Sequence, residues 1–209
     1  MKVGDLVKKF IVIIIVIIVV ILAGYFGYRY YVYQQQKKIE TQLNNIESTI
    51  RTEASNAKSS SLSSSDVSTL QTSISEYLSE INTLKNSNFN NSKLKDEEDN
   101  IETTLNYLNA NIYVTNQYEQ IYNEAEEAGT SLSNSELNNI VSQCNDIINS
   151  SQIELLEKDE NNENIKSILN ISKLTDAQSI IDSLNNIISV AQENINENTT
   201  NETVLMLNS

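Results

Sequence analysis

The chain has 209 residues with no Pro or His, four Gly, one Cys and a formal net charge of −14. Such an acidic chain does not suit nucleic acid, because nucleic-acid binding needs clustered Lys and Arg that neutralise phosphates. The shortage of Gly and Pro disfavours β-hairpins, which need tight-turn residues, and leaves no proline to interrupt a helix. The composition therefore predicts an all-α protein.

The first predicted element is an apolar helix that follows a short basic tail, residues 1–9. Residues 11–22 are all Ile, Val or Leu, and together they favour insertion into a bilayer by roughly 5 kcal/mol. A lone segment in lipid must satisfy its own backbone hydrogen bonds, so it has to be helical. Residues 10–28 match about one bilayer crossing in length. We therefore predict a transmembrane helix over residues 10–33 that contacts the lipid bilayer.

The same segment also has features of a cleaved secretion signal. Lys8 and Lys9 precede the apolar run, and Ala23 ends a weak cleavage sequence. Beyond Ala23, however, the apolar character continues, and it does so through aromatic residues typical of the belt at a bilayer surface. These residues are Tyr25, Phe26, Tyr28, Tyr30, Tyr31 and Tyr33. We therefore favour a retained anchor over a cleaved signal.

The charges that flank the span set its expected orientation, and they nearly balance. Lys2, Lys8 and Lys9 lie on the N-terminal side, and Arg29, Lys37 and Lys38 lie on the other. Because the N-terminal tail is short and the remainder is acidic, we expect the N-terminus inside and the bulk of the chain extracytoplasmic. The inverted arrangement and a secreted protein cleaved after Ala23 are the alternatives.

Residues 34–197 are predicted to form a helical bundle, because apolar residues recur at spacings of three and four. The first stripe, residues 39–50, continues the membrane helix directly. A Ser-rich loop over residues 59–66 follows, in which Ser65 or Asp66 caps the second helix. The third helix is the longest, from about Lys93 to Ala128, and Gly129 is placed to cap its C-terminus.

Two capping boxes mark the remaining helices. Ser133 and Glu136 begin a helix that is predicted to continue to about residue 156. Thr175 and Gln178 begin the last helix, which is followed by a flexible tail over residues 198–209. Short connections make neighbouring helices antiparallel, which gives an elongated, coiled-coil-like bundle of four or five helices. The third helix is either shared by two stacked three-helix packings or part of one long four-helix bundle.

No catalytic or cofactor motif is present. Cys144 falls on an apolar helix face with Leu137 and Val141, and the chain has no His to activate its thiol. The acidic clusters at residues 96–99 and 157–163 lack the glycine and the bidentate Glu of a calcium loop, so we interpret them as solvated helix ends. We therefore expect no enzymatic activity, no cofactor and no metal.

Four tyrosines on the third helix are the candidate partner surface: Tyr107, Tyr113, Tyr118 and Tyr122. Tyr118 shares the stripe of Ile121 and Ala125, so half-buried packing is the favoured interpretation. Because exposed Tyr anchors many interfaces, a partner surface is the alternative. The sequence thus favours a membrane-anchored, non-enzymatic interaction or spacer module at the cell surface or envelope, with an unidentified protein partner. The alternative is a cytoplasm-facing tethered scaffold or accessory subunit. Homo-oligomerisation is left open.

Overall fold

The computed structural model describes residues 3–58, 64–128, 132–169, 174 and 176–207. In these ranges the chain is helical and contains no strand, which confirms the predicted all-α fold. The helices are α1 (Val3–Lys58), α2 (Ser64–Lys85), α3 (Ser92–Ala128), α4 (Asn134–Ile148), α5 (Ser151–Asp159), α6 (Glu163–Ile168) and α7 (Ala177–Leu207).

Helix α1 joins the apolar segment to the bundle without interruption. It has 56 residues, which corresponds to a rod about 84 Å long. The predicted junction at residues 34–38 contains only Gln and Lys, which are good helix formers. Residues 3–9, predicted as a tail, belong to the same helix.

The half of the bundle next to the apolar segment consists of α1, α2 and the beginning of α3, and α6 also packs on α1 and α3. The predicted stripe on α1 is buried there, at Ile39, Leu43, Ile46 and Ile50. Helix α2 begins at Ser64, so Ser65 and Asp66 lie inside the helix and the prediction that one of them caps it is wrong. The rest of the predicted loop, residues 59–63, lies outside the described residues.

The far half consists of the end of α3 together with α4, α5 and α7. Its residues belong to the same continuous core as those of the first half, from Leu43 on α1 through Leu105 on α3 to Leu184 on α7. Helix α3 has 37 residues, about 55 Å, and contributes to both packings. Of the two architectures that the sequence left open, the structure has the shared third helix.

The helix predicted to continue to about residue 156 is divided in two. Helix α4 begins at the predicted capping box, in which the Ser133 N–H donates to Glu136 Oε2 at 2.8 Å and the Glu136 N–H donates to Ser133 Oγ at 3.4 Å. It ends at Ile148, after which Ser150 caps α5 by accepting from the Ile153 N–H at 3.3 Å. A Ser side chain here offers the backbone an alternative to the helical hydrogen bond.

The last helix differs from the prediction at both ends. Asp176 is its cap, because its Oδ1 accepts from the Ser179 N–H at 2.8 Å; Thr175, like Gly129, lies outside the described residues. The helix continues through the predicted flexible tail as far as Leu207. Asn198 ties this part to the start of α4, since its amide donates to the Leu132 carbonyl at 3.3 Å.

Candidate functional site

From Ile14 onward, the apolar part of α1 is exposed on every face. Within the described residues, one helix is long and apolar enough to cross a membrane, and it lies near the N-terminus. Its most apolar stretch has a mean hydropathy of 1.8 and is not buried in the protein. A helix that is apolar on every face and has no protein around it is suited to lipid.

An aromatic collar follows the apolar segment, formed by Tyr25, Phe26, Tyr28, Tyr30, Tyr31 and Tyr33. Each of these side chains is between 50% and 66% exposed, so the rings are free to contact lipid. The Tyr25 and Phe26 rings meet edge to face with centroids 5.7 Å apart. The Arg29 guanidinium lies 5.6 Å from the centre of the Tyr25 ring. Amphipathic rings beside a cation are well suited to the headgroup level of a bilayer.

The turn between α2 and α3, residues 86–91, lies beside this collar. We name it the proximal turn. The Phe89 ring packs edge to face against Tyr31, with centroids 5.4 Å apart and planes at 86°. The sequence pattern does not predict this contact. The signal available was an isolated aromatic residue in an otherwise polar turn, NSNFNNS.

Glu98 is the most unusual polar group in the first half of the bundle. Its side chain has no exposed surface. Its Oε2 accepts from the Asn90 amide at 2.6 Å, and its Oε1 has no hydrogen-bond partner among the described residues. Burial raises the pKa of this carboxyl above its ordinary value. Nearby, Lys85 bridges Asp99 at 2.6 Å and also pairs with Glu102. Glu98 therefore connects the proximal turn to α3 through its hydrogen bond with Asn90. Burying its charged form is unfavourable.

The four predicted tyrosines do not form one surface. Tyr107 is only 1% exposed, so its prediction as part of an exposed surface is wrong. Burial raises the pKa of its hydroxyl to about 12. The Tyr118 and Tyr122 rings lie 6.0 Å apart, and Tyr118 is half-buried against the core. Tyr113 is 38% exposed but faces α4 beside Gln143.

Tyr122 instead borders an open apolar cleft of about 400 Å³ between α3, α4 and α7. We name it the distal cleft. Its lining includes Tyr122 and Ala125 of α3, Leu137 and Ile140 of α4, and Ile187 and Val190 of α7. Tyr122 is 44% exposed and Val190 is 50% exposed. A cleft with an apolar floor and an exposed aromatic rim can accept an apolar side chain or a helix from another protein.

Cys144 and the acidic stretch near residue 160 take part in packing and helix capping. Cys144 is fully buried in the core, where burial raises the pKa of its thiol to about 11. In the acidic stretch near residue 160, Asn162 caps α6 and the Asn164 amide donates to Asn100 Oδ1 at 2.8 Å. Within the described residues, no group of three or more Cys, Asp or Glu side chains is arranged to hold a metal ion.

Comparison with known proteins adds no relative, since no family model, curated protein or solved structure matches the chain.

Proposed function

We propose that the chain is a single-pass, non-enzymatic membrane protein of the cell surface or envelope, whose helical bundle holds a protein-binding cleft away from the bilayer. The observation that carries this proposal is the continuity of α1, which runs as one helix from the exposed apolar segment into the buried stripe of the bundle. A helix without a break transmits the position and direction of its anchor to whatever packs on it.

The length of the bundle supports a spacer role. Tyr31 lies beside the proximal turn, and Tyr122 lies 33 residues beyond Phe89 on the same run of chain. Residues 92–122 of α3 rise about 45 Å at 1.5 Å per residue, so α3 places the distal cleft about 45 Å from the aromatic collar. This distance exceeds the headgroup layer several-fold, so a partner at the cleft does not have to touch lipid.

The chemistry of the distal cleft supports protein binding. Tyr122 and Val190 leave apolar surface exposed at the end of the bundle farthest from the anchor. Exposed apolar surface grouped in a concavity is typical of an interaction site, whereas scattered single residues are not. The partner that fits is a protein that inserts an apolar side chain or one face of an amphipathic helix.

The anchor is tested by alkaline carbonate extraction of membranes, with intact-mass measurement of the extracted chain. We expect the full chain to stay in the membrane pellet with residues 1–23 still attached. Fragment 34–209, expressed in the same cells, is the control and should be released. A chain that begins at Gly24 would refute the anchor. Protease treatment of intact cells then tests the side: a protected bundle refutes the surface location and favours the cytoplasmic scaffold.

The cleft is tested by placing a photo-crosslinking amino acid at Tyr122 in the intact chain. Tyr113 is the matched control, because it is an α3 tyrosine of similar exposure that lies outside the cleft. We expect position 122 to form discrete protein adducts and position 113 to form none. Equal adducts at both positions, or none at 122, would refute the cleft as the binding surface.

A further inference from the structure

We propose that the proximal turn is a second point of contact with the bilayer, with Phe89 seated in the headgroup layer beside the aromatic collar. The inference rests on the proposed function, because it takes residues 10–28 as the membrane span. It adds that the bundle is held to the lipid surface by its own base as well as by the anchor.

The first argument is the contact between Tyr31 and Phe89, whose ring centroids are 5.4 Å apart. Side chains on an α-helix lean toward its N-terminus, and the N-terminal direction of α1 is the direction of the apolar segment. The Tyr31 ring therefore lies on the membrane side of its own Cα. Phe89 packs against that ring, so the turn reaches down to the collar.

The position of Tyr31 along the bilayer normal also favours this contact. Residues 10–28 span about 28 Å as a helix, which is close to the thickness of the hydrocarbon core. Tyr31 follows three residues later, about 4.5 Å farther along α1. Each headgroup layer adds roughly 5–8 Å beyond the hydrocarbon. Tyr31, and with it Phe89, therefore falls within the headgroup layer.

The third argument is the chemistry of the turn. Its hydrogen bonds are made internally: the Ser87 N–H donates to the Leu84 carbonyl at 2.9 Å, and the Asn90 N–H donates to the Ser87 carbonyl at 3.2 Å. Asn91 caps α3 by accepting from the Leu94 N–H at 3.0 Å. Internal bonding of these backbone N–H groups lowers the desolvation cost of bringing the turn and its one aromatic ring into the interface.

The distribution of charge favours the same placement. Arg29, Lys37 and Lys38 are exposed on α1 at and just beyond the collar, within reach of lipid phosphates. The formal net charge of −14 includes these three cations, so the rest of the chain carries −17, and an anionic surface repels it. These three cations therefore favour contact between lipid and the base of the bundle.

The test uses the absence of Trp from the chain, which makes any introduced Trp the only indole. The full chain carrying F89W is reconstituted into phosphatidylcholine and phosphatidylglycerol vesicles, with ordinary or brominated acyl chains. Matched reporters are Y28W at the edge of the span and Y122W at the distal cleft. Far-UV circular dichroism checks that each variant keeps the helical content of the native chain.

We expect brominated lipid to quench the F89W reporter to an extent comparable with Y28W, and to leave Y122W unquenched. The proposal is overturned if Y28W is quenched by lipid while F89W behaves like Y122W; the anchor then stands alone. Protection of F89W from aqueous iodide without lipid quenching also overturns it, because Phe89 is then only packed on Tyr31. If Y28W is not quenched either, the proposed anchor itself is wrong.

Discussion

The single thiol of the chain provides a direct test of the packing of α4. Cys144 has no exposed surface, and burial raises its pKa from the ordinary 9.0 to about 11. At pH 8 a thiol with a pKa of about 11 is about 0.1% thiolate, whereas one with a pKa of 9.0 is about 9% thiolate. Because the thiolate is the nucleophile, ionisation alone lowers the rate of reaction by about 90-fold, and exclusion of the reagent lowers it further.

The assay follows the reaction of the full chain, in vesicles or mild detergent, with an aromatic disulfide reagent at pH 8. The rate for the native protein is compared with that in concentrated guanidinium chloride. We expect the native rate to be lower by about 100-fold or more, and C144S to show no reaction. A native rate within about tenfold of the unfolded rate would mean that Cys144 is accessible, and the packing of α4 against α3 and α7 would have to be revised.

Three further predictions concern stability, each measured by denaturant unfolding of the full chain. Leu105→Ala leaves a cavity in the middle of α3, where Leu105 has no exposed surface, and should lower the free energy of unfolding by about 2–5 kcal/mol; a loss under about 1 kcal/mol would contradict its burial. Ser133→Ala removes the capping box of α4 and should cost about 1 kcal/mol, whereas Ser133→Asp, which keeps a cap acceptor, should cost less. Glu98→Gln should stabilise the protein at neutral pH, because it removes the charge from a carboxyl whose pKa is raised by burial. That advantage should shrink as the pH falls from the raised native pKa towards 4.5, since the native wild-type chain binds its proton first; a difference that does not change with pH would refute the buried charge.

The parts of the fold that rest on local signals were predictable from the sequence. The buried stripe at residues 39–50 follows from its spacing, and the cap at Ser133 follows from a Glu three residues later. The division at Ser150 was missed, because Asn and Ser are frequent along the whole bundle and one more pair carries no distinct signal. Asn and Ser side chains compete with helical hydrogen bonds, but this competition ends a helix only where the packing allows the chain to turn.

The candidate site was less predictable, because it depends on which helices pack together. Tyr107 is buried on a helix that packs against each of the other six helices. Spacing along one helix does not reveal how many neighbours that helix has. The contact between Tyr31 and Phe89 joins residues far apart in sequence. Tyr122 is exposed, and the cleft beside it is completed by residues of α4 and α7, which spacing along α3 does not reveal.

The placement of the two chain ends has a mechanical consequence. Helix α1 leads into the proposed anchor at one end of the bundle, and the end of α7 lies at the other, where Asn198 is tied to Leu132. Tension applied between the bilayer and the distal end acts along the helix axes, and α3 carries it because α3 packs on both α1 and α7. For the bundle to unfold under this tension, α3 must slide along its neighbours. Many side-chain contacts then break at once, instead of one helical turn at a time. A force applied between these two ends therefore loads the helix interfaces of the bundle in shear.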